Sequence, residues 1–82
     1  MITVRIGDVI EVDDHDYRYG IGPLIVRVTR IGRRLQVADG EWLDLEGLEL
    51  RRDGTQISHQ PRPVSVRVGG MRFRQGGPHA RP

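Results

Sequence analysis

The sequence predicts an all-β fold. It reads as one small barrel-like domain of five to seven short antiparallel strands, residues 1–74, followed by a flexible basic tail, residues 75–82. Three observations carry this. Nine Val and seven Ile stand against two Ala; β-branched side chains fit a pleated surface, and Ala-poor chains make poor helices. Eleven Gly are scattered among short apolar runs, the pattern of strands joined by tight turns. No window of about eleven residues places its apolar side chains at helical spacing.

Each element has a local reason. Ile2-Thr3-Val4-Arg5-Ile6 alternates apolar and polar, as a half-buried strand does. Gly7-Asp8 interrupts, and Val9-Ile10-Glu11-Val12 resumes. Residues 13–23 break the pattern with acids, Tyr, Gly and Pro, and form a loop. Residues 24–31 are the strongest strand, with Leu24, Val26 and Val28 on one face and Ile25, Arg27 and Thr29 on the other. Gly32-Arg33-Arg34 turns the chain, and Leu35 and Val37 carry the next strand to Asp39-Gly40. Asp-Gly between apolar runs is a hairpin signal, because a type I′ turn needs positive φ at both central residues. A turn centred there pairs Val37 with Trp42. Leu35 then shares a face with Asp44, so a bulge or a change of register must follow.

Residues 41–50 form another strand, bent at Gly47. Asp53-Gly54 repeats the hairpin logic and pairs Leu50 with Ile57. His-Gln-Pro-Arg-Pro, residues 59–63, is an extended linker. Val64-Ser65-Val66-Arg67-Val68 is the last clean alternation, and Met71 and Phe73 add a short closing segment after Gly69-Gly70. Residues 75–82 have nothing to bury and read as disordered. An open sheet this small exposes its edges, so a closed or nearly closed barrel is favoured.

Gly7-Asp8-Val9-Ile10-Glu11-Val12 near the start, a long loop, the strand from Leu24, two hairpins and a short final strand together resemble the small Src-homology-three-like barrel group, which includes Tudor and KOW modules. The resemblance covers roughly residues 2–73 and is one of fold. No binding motif of the group is matched residue by residue. The resemblance therefore implies a barrel and does not choose a ligand.

Size and composition narrow the function classes. A chain of 82 residues and 9.3 kDa holds one domain and buries only about 60–65% of the surface it exposes when unfolded. With no Cys, disulfides, thiol catalysis and Cys-ligated zinc are excluded. A small secreted domain usually needs disulfides, so a cytoplasmic location is expected. The N-terminus does not read as a signal peptide. No apolar run approaches the roughly 20 residues of a membrane-spanning helix, so no membrane association is expected.

All 13 basic residues are Arg. Charge changes sign by blocks along the chain, and residues 62–82 hold five Arg and no acid. Such blocks either pair across strands or polarise the surface. In the second case Arg30, Arg33, Arg34, Arg67, Arg72 and Arg74 form a basic surface for phosphate. Tyr17-Arg18-Tyr19 puts two rings on one side of an extended segment, where they either stack on a partner or fold back onto the barrel. Trp42, the only Trp, either caps the core or joins Tyr17 and Tyr19 as a partner-binding residue.

Asp13-Asp14-His15-Asp16 has metal-binding residue types without the spacing of a calcium loop, and reads as a solvated acidic loop. Ser58-His59 is adjacent, and strand neighbours point to opposite faces, which is poor geometry for a nucleophile and its base. A non-catalytic binding module without cofactor or metal is the expectation. Its partner is DNA or RNA through the Arg surface. The alternative is a protein partner met by the acidic loop, the Tyr pair or an open barrel edge. Edge strands such as residues 24–31 also leave room for a homodimer.

Overall fold

The computed structural model describes residues 3–74; the tail expected at residues 75–82 lies outside them. Five strands form: β1 (Val9–Val12), β2 (Leu24–Val37), β3 (Gly40–Glu49), β4 (Arg62–Arg67) and β5 (Arg72–Arg74). Short 3₁₀ turns at Asp14–Asp16 and Val68–Gly70 interrupt the connections. All pairings are antiparallel, in one sheet of order β4-β3-β2-β1-β5.

Period-two alternation decides what each strand buries. Ile10 and Val12 of β1, Leu24, Val26 and Val28 of β2, Leu43 and Leu45 of β3, and Val64 and Val66 of β4 meet in one cluster. Val4, ahead of β1, and Tyr17, Val68 and Met71 of the connections complete it. One sheet supplies apolar residues to a single cluster from most of its width, so it coils around its inner face. It does not close into a barrel: β4 and β5 remain its two edges. Val9, Ile25 and Leu50 form a smaller cluster on the opposite face.

Four expectations are corrected. Thr3 to Ile6 is not a strand. The alternation there has no partner, and the Asp8 carboxylate instead accepts from the Arg5 backbone N–H at 2.8 Å to close a turn in which Gly7 takes φ 98°. Gly32-Arg33-Arg34 does not reverse the chain; β2 runs unbroken for 14 residues. Instead the register slips twice, between Val28 and Arg30 and between Ile31 and Arg34. Each slip is a bulge that adds a residue to β2 and coils the ribbon.

The first hairpin forms one residue earlier than expected. Val37 pairs with Gly40 and Leu35 with Trp42, so Ala38 and Asp39 are the loop. Gly40 takes φ 123° at the head of β3, and Asp39 accepts from Trp42 Nε1 at 3.0 Å. At the second turn, Leu50 bridges Gln56 rather than Ile57. Asp53 Oδ1 accepts from the Thr55 backbone N–H at 2.9 Å and from its hydroxyl at 2.7 Å, which tightens the loop. Gly47 lies within β3, which continues to Glu49, beside the first register slip. It is there because a Cβ would lie 2.8 Å from the Arg27 carbonyl oxygen.

Candidate functional site

The loop after β1 is fastened to the edge strand β4. Tyr17 forms a bridge with Val66, and the Arg18 backbone N–H donates to Ser65 O at 3.1 Å. The Tyr17 ring is buried in the core. Its hydroxyl accepts from Ile21 N at 3.1 Å and donates to Gly22 O at 2.9 Å. Gly20 is required where it stands, since a Cβ there would strike the Asp14 backbone.

Tyr19 departs from extended geometry with φ 60°, and its side is thereby reversed. The Tyr pair is therefore split: Tyr17 points inward, and Tyr19 is 94% exposed. The expectation that both rings share one side fails for this reason. A positive φ at a non-glycine residue is uncommon and is held here by the fastened residues on either side.

Tyr19 stands at the rim of an open cleft of about 580 Å³. The cleft lies on the face of the sheet opposite the main core. Arg18 and Tyr19 of the loop, Arg30 and Arg33 of β2 and Arg62 of β4 contribute to its lining. Asp44 and Glu46 of β3 and Ser65 of β4 line it as well. The bulge at Gly32-Arg33 brings β2 over Asp44; a Cβ on Gly32 would lie 3.0 Å from the Asp44 carbonyl oxygen.

The four cleft arginines are engaged to different degrees. Arg33 makes no ion pair or hydrogen bond among the described residues, and Arg30 Nη1 is a loose 4.0 Å from Glu46 Oε2. Arg62 donates to Glu49 at 3.2 Å. Arg18 lies over the Trp42 ring at 5.3 Å from its centroid, a cation–π distance.

The other sequence-selected residues are elsewhere. Trp42 is half-buried, with Arg67 at 5.8 Å from its centroid as well as Arg18. Arg67 Nε pairs with Asp16 at 3.1 Å. Arg34 is not among the residues that line the cleft, and it meets Glu41 at 2.5 Å. Arg72 pairs with Asp13 at 3.1 Å and with Glu11 at 3.5 Å; Arg74 lies 3.8 Å from Glu11. The hydrogen bond and charge of Asp13 hold the Arg72 guanidinium still more firmly protonated.

The six selected arginines thus do not make one surface. Arg30 and Arg33 reach the cleft, and Arg34, Arg67, Arg72 and Arg74 serve acidic partners. Arg18 and Arg62, which sequence reasoning passed over, take their place. The signal for Arg18 was its position within the Tyr pair. For Arg62 it was the flanking Pro61 and Pro63, which hold an extended chain.

Among the described residues no group of three or more His, Asp or Glu is placed to hold a metal ion, and no helix is long and apolar enough to cross a membrane. Comparison with known proteins returns no match among family models, curated proteins or solved structures.

Proposed function

We propose that this chain is a non-catalytic binding module for single-stranded nucleic acid, with the strand held across the Tyr19 cleft. The observation that carries it is a ring 94% exposed at the rim of a cleft to whose lining four arginines contribute. Exposed rings offer a stacking face to any base, and stacking is worth roughly 1–3 kcal/mol per base. Guanidinium groups neutralise phosphates on either side. Duplex bases are already stacked on each other and gain nothing from Tyr19, so a single strand is the better occupant.

The test is fluorescence anisotropy with labelled single-stranded and duplex oligonucleotides, at about 50 and about 200 mM salt, the range over which phosphate contacts show themselves. Single-strand binding that weakens with salt and with Tyr19→Ala supports the proposal. No binding at the lower salt, or equal binding of the Tyr19→Ala variant, rejects it.

A second function, as a protein-interaction adaptor, has one specific observation in its favour. β1 pairs with β2 only along residues 24–27. The described residues place no strand against that side of β2 from Thr29 to Val37. An extended segment of another protein could add there by backbone pairing. Nuclear magnetic resonance shifts confined to that edge on titrating a partner protein, with none at Tyr19, would favour it.

A further inference from the structure

We propose that the cleft reads the base stacked on Tyr19 and prefers guanine, an inference that rests on the single-strand reading above. The cleft is polarised from rim to floor. Arg18, Arg30, Arg33 and Arg62 line it from the loop, β2 and β4, while Asp44 and Glu46 line it from β3, the strand between β2 and β4, with Ser65 of β4 beside Asp44. A phosphate placed on that floor would face two carboxylates; on the rim it faces guanidinium groups. The backbone of a bound strand is thereby directed to the rim and the base inward.

The floor is also chemically one-sided. Ionised carboxylates only accept hydrogen bonds. One oxygen of Asp44 takes the Ser65 hydroxyl, which fixes the carboxylate. Its other oxygen has no partner among the described residues. Glu46 sits two residues along β3 on the same face, 4.0 Å from Arg30, too far for a hydrogen bond. The Ser65 proton is already committed to Asp44. A base entering here therefore meets acceptors and must bring donors.

The bases differ in what their pairing edges offer. Guanine carries two adjacent donors, the N1 imino and the N2 amino groups, spaced to meet the two oxygens of one carboxylate. Adenine and cytosine set one amino group beside a ring-nitrogen acceptor, which a carboxylate repels. Uracil and thymine flank a single imino donor with two carbonyls. Single-stranded bases expose these edges for reading, and a good bidentate contact discriminates by roughly tenfold or more.

The experiment uses labelled oligouridylates of about eight nucleotides, within the usual span of one small β domain. The central position is uridine, adenosine, cytidine, guanosine or inosine. Guanosine should bind about tenfold tighter than uridine. Inosine, which keeps the imino donor and lacks the amino group, should fall between them. Asp44→Asn should erase the guanosine advantage, since an amide presents one acceptor and one donor. Arg33→Gln should weaken every oligonucleotide by the same factor and leave the ranking intact.

Thermal melts of both variants establish that they fold, and Ser65→Ala gives a second route to the Asp44 carboxylate. Equal affinity for all five oligonucleotides overturns base reading while single-strand binding stands. A guanosine advantage that survives in a folded Asp44→Asn variant overturns the assignment to the cleft floor. No binding of any oligonucleotide overturns both proposals.

Discussion

Replacing Arg33 by Gln should weaken single-strand binding and flatten its salt dependence, and the size of both effects follows from the cleft. Four arginines contribute to its lining. Each phosphate neutralised on a single strand contributes about −0.7 to the slope of log affinity against log salt. Four such contacts set a ceiling of about −2.8, or an affinity loss of about fiftyfold between about 50 and about 200 mM salt. Three of the four must loosen existing contacts to reach a phosphate: Arg18 leaves Trp42, Arg30 leaves Glu46 and Arg62 leaves Glu49. Arg33 has no such contact to give up among the described residues. Its removal should lower the slope by about 0.7 and leave the fold untouched. Anisotropy titrations of one oligonucleotide at four or more salt concentrations, with both proteins, provide the measurement. An unchanged slope would falsify the placement of phosphate beside Arg33. A wild-type slope well beyond −2.8 would mean that Arg72 or Arg74 abandons Glu11 and Asp13 to bind as well.

Gly47→Ala should cost about 1–3 kcal/mol, because its Cβ would lie 2.8 Å from Arg27 O and 3.1 Å from Val26 Cβ and would push β2 from β3; an unshifted urea midpoint contradicts the close approach. Tyr17→Phe should cost about 1 kcal/mol and speed tryptic cleavage after Arg18, since the hydroxyl that ties Ile21 and Gly22 is lost, whereas Tyr19→Phe should do neither. Asp53 should titrate below the usual 3.8, chiefly because the Thr55 backbone N–H donates to it. A lowered folded value means that this contribution to stability is complete above the ordinary aspartate range and disappears as pH falls through the lowered value. Carboxyl-carbon nuclear magnetic resonance reads it directly, and a midpoint at or above 3.8 contradicts the turn geometry.

The alternation of Leu24, Val26 and Val28 and of Val64 and Val66 was enough to find β2 and β4, because inward residues on a half-buried strand must be apolar. Register was harder. Asp39-Gly40 marks the hairpin, yet Gly40 spends its positive φ outside the two-residue loop, and Trp42 consequently moves opposite Leu35. Gly32-Arg33-Arg34 reads equally well as a turn or a bulge, since both tolerate Gly and charge; only the pairing with β3 decides. The charge blocks carried both of their readings. Arg72 and Arg74 answer Glu11 across the β1–β5 pairing, while Arg30 and Arg33 remain at the surface. The cleft itself was invisible, because Tyr19 turns outward through a single backbone angle and Arg62 arrives from a segment more than forty residues away along the chain.

The unpaired side of β2 carries a consequence for self-association. An exposed edge is a template for any strand, and two copies meeting there about a twofold axis would lie antiparallel. Arg30, Arg33 and Arg34 of one copy would then face the same three residues of the other. Like charges across a strand pair oppose pairing, whereas the bulge at Gly32-Arg33 interrupts the run of backbone donors and acceptors for any added strand alike. The edge therefore discriminates by sign. An edge so charged would oppose its own image and favour strands that bring acids.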